Sequence, residues 1–112
     1  MDSTRQQKIN RLLQKELAII FQQESKNLFG GKLISVTMVR ITPDLSLARI
    51  HLSIFPSEHN QEIVKEIQEI SPKIRGLLGH RIGKQVRITP NLQFFIDDSL
   101  DYIEHIDELL KS

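Results

Sequence analysis

The sequence predicts an α+β domain: one three-stranded sheet with helices packed on one of its faces. Three features carry that prediction. A long amphipathic helical pattern opens the chain, two β-rich runs follow around a Pro-Asp turn, and two further helical stretches lead to a third alternating run. The chain has 112 residues, 39% hydrophobic and 26% charged, which is the length of one domain and the composition of an ordinary globular protein. Cysteine is absent, so no disulfide, thiolate metal site or thiol nucleophile is available.

The first helix is expected from about Ser3 to Glu24. Ile9, Leu12, Leu13, Leu17, Ile20 and Phe21 keep one apolar face, and Ser3 with Gln6, or Thr4 with Gln7, has capping-box spacing. Gly30-Gly31 then breaks the chain. The runs Leu33 to Thr42 and Leu47 to Phe55 form a hairpin around Pro43-Asp44-Leu45-Ser46, because proline pre-sets the turn and aspartate bonds its own backbone. In the second run Ala48, Ile50, Leu52 and Ile54 alternate with Arg49, His51 and Ser53, giving one buried and one wet face.

After Pro56 a second helix carries Ile63, Val64, Ile67 and Ile70. It is interrupted at Ser71-Pro72, where serine suits an N-cap and proline the first helical position, so a kink and a fresh helix to about Gly83 are predicted. The third strand is expected from about Gln85 to Asp97, with Val86, Ile88, Leu92, Phe94 and Ile96 inward. Pro90 within it marks an edge strand or a bulge. A short acidic helix capped by Asp98 or Ser99 closes the chain, with Leu100, Ile103, Ile106 and Leu110 inward.

Net charge is only +1, but it is unevenly divided. Residues 71–90 carry five Lys/Arg and no Asp/Glu, whereas residues 91–112 carry one Lys and six Asp/Glu. Such a dipolar molecule can grip a polyanion with one surface while its acidic surfaces face away. The polar start of the chain, with no apolar run behind it, predicts neither a signal peptide nor a spanning helix, and a cytoplasmic protein.

Catalysis is not expected. His51, His59, His80 and His105 lack metal-ligand spacing, no serine sits in a nucleophile elbow, and no phosphate-binding glycine loop is present. Asp97-Asp98 reads as a strand end and helix cap, since neighbours on a strand point to opposite faces. No cofactor, metal or small-molecule substrate is implied.

The segment Ser71 to Thr89 is the main candidate surface. At 100° per residue Ile74, Leu77, Leu78 and Ile82 face the core, Lys73, His80 and Lys84 share one flank, and Gly76, Gly79 and Gly83 fall opposite the core. Each glycine inside a helix costs about 1 kcal/mol relative to alanine, so three on an outward face suit close approach of a phosphodiester chain. Packing against another protein element explains them as well. A second basic patch, Lys8, Arg11 and Lys15 with Arg5 at its border, lies on the first helix, where a solvated face explains it equally. Aromatic rings are few, five Phe and one Tyr, which favours recognition of backbone and shape over base reading. Phe95, with outward parity, is expected to pack under the terminal helix rather than stack on a base.

The hairpin Val39-Arg40-Ile41-Thr42-Pro43-Asp44-Leu45-Ser46-Leu47-Ala48-Arg49-Ile50 and the run Arg87-x-x-Pro90-x-Leu92-x-Phe94-x-x-Asp97-x-Ser99, with Ile74-Arg75 and Leu77-Leu78-Gly79 between them, resemble bacterial ribosome-binding factor A along essentially the whole chain. That resemblance implies a KH-like fold of the second type, with a helix-kink-helix element in place of the G-x-x-G loop. It also implies a non-enzymatic factor that binds the free small (30S) ribosomal subunit and its 16S rRNA in late maturation, including processing of the RNA's 5′ end, and that matters in the cold; a monomer is expected, although the sequence does not fix oligomeric state. The family's kink commonly reads Ala-x-Gly, where this chain has Ile70-Ser71-Pro72. Gly76-Leu77-Leu78-Gly79 spells G-x-x-G, but its leucines belong to the buried stripe.

By the same resemblance Lys73, Arg75, His80, Arg81, Lys84 and Arg87 contact ribosomal RNA, with Arg40 and Arg49 on the hairpin as second-rank candidates. Arg75 could instead pair with a carboxylate such as Glu69, and Arg81 shares that alternative. The competing reading is a protein-interaction adaptor on the assembling subunit that uses its glycine face or acidic terminal helix and makes no RNA contact.

Overall fold

The computed structural model describes residues 3–55 and 60–97. Helix α1 spans Thr4–Leu28. Its start is a reciprocal capping box: the Gln6 amide donates to Ser3 Oγ at 3.1 Å, and the Ser3 amide to Gln6 Oε1 at 2.9 Å. It runs one turn beyond the expected Glu24 end. Leu28 packs against the core and Phe29 is buried, so apolar burial continues until Gly30 and Gly31, at φ +60° and +80°, adopt the left-handed backbone that ends it.

Strands β1 (Leu33–Ile41) and β2 (Leu47–Phe55) pair antiparallel, and β3 (Asn91–Ile96) lies parallel to β2 on its other side, giving the order β1-β2-β3. The predicted alternation of β2 holds, with Ala48, Ile50, Leu52 and Ile54 buried. A bulge at Thr37, which the sequence reading did not contain, interrupts the β1 register.

Helices α2 (Asn60–Glu69) and α3 (Ser71–Ile82) are separated by Ile70 alone. The kink falls where proline placed it, but Ser71 is not the cap. Ile70 occupies that position with no side-chain bond, and its carbonyl receives the Lys73 and Ile74 amides at 3.0 and 3.1 Å. Ile63, Ile67, Ile74, Leu78 and Ile82 join the α1 stripe and the inner sheet residues in one core on one face.

The third strand begins six residues later than expected. The Gln85 and Val86 amides fold back onto the Ile82 carbonyl at 2.8 and 2.9 Å, prolonging the helical turn. Pro90 brings no N–H, so pairing with β2 starts only at Asn91, whose amide reaches the Ser46 carbonyl at 2.9 Å. Val86 is buried as expected, but Ile88 stands 69% exposed rather than inward. The predicted terminal helix, its candidate cap Asp98 or Ser99, and His59, His105 and Tyr102 lie outside the described residues.

Both outer edges of the sheet are covered by side-chain amides. Along β1, Gln6 Nε2 donates to the Ile41 carbonyl at 3.1 Å, Asn10 Oδ1 accepts the Ile41 amide at 2.8 Å, and Gln14 Nε2 reaches the Val36 carbonyl at 3.2 Å. These residues recur every fourth position and so share one side of α1. Along β3, Gln68 donates to the Leu92 carbonyl at 3.0 Å and accepts the Phe94 amide at 2.9 Å, as a neighbouring strand would.

Candidate nucleic-acid interface

The expected basic surface is built from α3 and the loop that follows it. Ile74, Leu78 and Ile82 are fully buried, while Lys73 in the first turn of α3 and His80 in the last are exposed. Lys84 and Arg87, on the loop between α3 and β3, are exposed as well. Residues 71–90 contain no acidic side chain, and the carboxylates beside this surface come from other elements: Glu16 on Arg81, Glu24 near His80 and Asp44 near Arg87.

Two of the predicted contacts have intramolecular partners. Arg75 is half-buried and aims its guanidinium at the chain itself: Nη2 donates to the Thr89 carbonyl at 2.7 Å, and Nε lies 3.1 Å from that oxygen and 3.2 Å from the Pro90 carbonyl. The alternative partner Glu69 is not used. Arg81 forms an ion pair with Glu16 on α1, the Glu16 side chain being only 14% exposed. These arginines hold the loop to α3 and α3 to α1, and so fix the surface that Lys73, His80, Lys84 and Arg87 present.

The three glycines do not form one open ridge. A Cβ at Gly76 would meet open space, but at Gly79 it would come within 3.0 Å of Thr89 Oγ1, and at Gly83 within 2.8 Å of the Gly79 carbonyl oxygen. Gly79 is therefore a seat for the chain's own loop, and Gly83 ends the helix. Close approach by an outside backbone is open at Gly76. The Gly76-Leu77-Leu78-Gly79 leucines pack inward, Leu78 fully buried and Leu77 against the core, as the reading of a false G-x-x-G requires.

On α1, Lys8, Arg11 and Lys15 are exposed, and Arg5 and Lys8 border a cavity shared with Arg87, which joins the two basic patches. Arg40 and Arg49 are also exposed but face the other way. They are register partners on the side of the sheet opposite the helices, beside His51, whose ring stacks on Phe95 with centroids 5.3 Å apart. Phe95 has the outward parity expected of it, while Phe94 is buried and meets Phe21 edge-on at 6.0 Å. The candidate cations thus fall on two faces, with the larger group on the helical one.

Among the described residues no group of His, Asp and Glu could hold a metal ion, and no helix is long and apolar enough to cross a membrane. Sequence reasoning missed the amide seam of Gln6, Asn10, Gln14 and Gln68. The i, i+4, i+8 spacing of the first three was its signal.

The family model for ribosome-binding factor A matches residues 5–110. The chain is 51% identical over 110 residues to ribosome-binding factor A of Cytophaga hutchinsonii, covering 98% of this chain and 83% of that protein. It is 47% identical over 111 residues to that of Flavobacterium johnsoniae, covering 98% and 85%. Among solved structures, the crystal structure of ribosome-binding factor A from Thermus thermophilus matches with a TM-score of 0.67 at 20% identity, covering 81% of this chain and 94% of that one. A homology model of the Thermus thermophilus ribosome-binding factor A, fitted into the cryo-EM map of its 30S complex, matches with a TM-score of 0.62 at 23% identity, covering 80% of this chain and 91% of that one.

Proposed function

Since the chain belongs to the ribosome-binding factor A family, we propose that it binds the small ribosomal subunit through phosphate contacts made by α3 and the loop after it. The family is one of non-enzymatic assembly factors, and the fold is the KH-like arrangement of its solved members. The observation that carries the contact surface is the outward, carboxylate-free stretch of residues 71–90, braced from behind by Arg75 and Arg81. Lys73, His80, Lys84 and Arg87 supply charge, Gly76 permits close approach, and Lys8 and Lys15 extend the grip onto α1. The protein acts in the cytoplasm on the immature 30S subunit and its 16S rRNA, in late maturation that includes 5′-end processing.

Arg40 and Arg49, on the sheet face opposite the helices, supply a second contact to a different part of the particle. The test is the triple variant Lys73→Glu, Lys84→Glu, Arg87→Glu in co-sedimentation with free 30S subunits. Loss of binding with an unchanged circular dichroism spectrum supports the phosphate grip. Binding that survives in the folded variant favours a protein-interaction adaptor instead.

A further inference from the structure

A cavity of about 490 Å³ lies where three separate segments meet: the start of α1, the β1–β2 turn and the loop between α3 and β3. Its size is that of a small-molecule or single-residue pocket, about 300–1,000 Å³. We infer that it receives one unstacked nucleotide of the bound RNA, an inference that rests on the RNA-binding reading above.

Three features point to a nucleotide. The wall is aliphatic, from Ile9, Leu45, Val86 and Ile88, and Ile88 is 69% exposed although it belongs to a segment whose alternation would bury it. The rim carries Arg5, Lys8 and Arg87, three cations from two elements against one carboxylate, Asp44. An apolar slot beside clustered cations matches a flat base attached to a phosphate.

The turn itself is held in a costly conformation at this cavity. Leu45 has φ +63°, a left-handed backbone that is unfavourable for a residue with a Cβ. Asp44 holds it there: its Oδ1 accepts the Thr42 hydroxyl at 2.7 Å, the Ser46 hydroxyl at 2.8 Å and the Ser46 amide at 3.1 Å. All three donors go to Oδ1. Oδ2 is left to accept an N–H from a base edge, and the three cations of the rim suit the phosphate attached to that base.

The test compares two RNA hairpins, one fully paired and one carrying a single bulged 2-aminopurine, titrated with the full chain. The wild type is expected to bind the bulged hairpin about tenfold more tightly and to change the 2-aminopurine emission, a margin matching burial of one base face. Ile88→Ser, at an exposed position, should bring that margin close to one while leaving affinity for the paired hairpin unchanged. Leu45→Gly, which removes the side chain and suits a positive φ, should do the same. Equal wild-type affinity for both hairpins, or a margin that survives both substitutions, overturns the pocket but not the phosphate grip. Binding of neither hairpin overturns the RNA reading beneath it. A peptide of residues 98–112 that binds the wild type but not Ile88→Ser, with no bulge margin, would assign the cavity to protein and overturn the nucleotide.

Discussion

Arg75 of α3 reaches across to Thr89, its Nη2 donating to the Thr89 carbonyl at 2.7 Å and its Nε to the same oxygen at 3.1 Å. The loop bearing Lys84 and Arg87 is thereby tied to the helix bearing Lys73 and His80. A basic surface made of two elements depends on such a tie for its geometry.

Replacing Arg75 tests that tie. Arg75→Lys keeps the charge but cannot present the forked donors, and is expected to lower stability by about 1.5–3 kcal/mol in urea unfolding, the range for hydrogen bonds to charged groups. A destabilised Arg75→Lys that still binds 30S subunits once folded would show that the arginine positions the surface rather than contacting RNA. Unchanged stability with lost binding would show the reverse.

Gly76 and Gly79 should part company. Gly76→Ala enters open space within a helix and should gain up to about 1 kcal/mol, whereas an alanine at Gly79 presses on Thr89 Oγ1 and should gain less. If the RNA backbone approaches at Gly76, the stabilised Gly76→Ala protein binds 30S more weakly. Thermal unfolding and filter binding of both variants decide it.

Gln68 completes the edge of β3 through two hydrogen bonds. Gln68→Leu leaves the Leu92 carbonyl and Phe94 amide without that partner and should cost about 1–3 kcal/mol. Faster hydrogen exchange at the Phe94 amide, and aggregation at high concentration through the bared edge, are the accompanying signs.

Asp44 gives a pH dependence of known sign. Hydrogen bonds from the Thr42 side chain, then from the Ser46 side chain and amide, hold its carboxyl below the usual carboxylate value. A depressed folded-state pKa contributes stability above the unfolded pKa, and that stability is lost as pH falls through the folded one. The stability difference between wild type and Asp44→Ala should therefore be constant near neutrality and shrink below about pH 4. A difference that does not change with acid would contradict the assignment.

Much of the architecture was legible because it follows periodicity. Ala48, Ile50, Leu52 and Ile54 declared the inner face of β2, and Pro72 declared the kink. The errors arose where one residue type serves two structures. Val86 and Ile88 alternate as a strand would, yet the backbone there completes the α3 terminus and Arg75 occupies the Thr89 carbonyl, so pairing waits until Asn91. The basic residues were legible as charge but not as roles. Nothing in the spacing separates Arg75 and Arg81, turned to Thr89 and Glu16, from Lys73 and Lys84, because those partners lie 14 and 65 residues away. The glycines misled for the same reason: Gly79 accommodates a loop that only the folded chain brings to it.

The salt dependence of affinity for free 30S subunits tests the central claim most directly. If about five phosphates are neutralised, log affinity falls against log salt with a slope of about four, and Lys73→Glu with Lys84→Glu lowers that slope by about two. A slope near zero in the wild type, or one that the two substitutions leave unchanged, would contradict binding through the α3 surface.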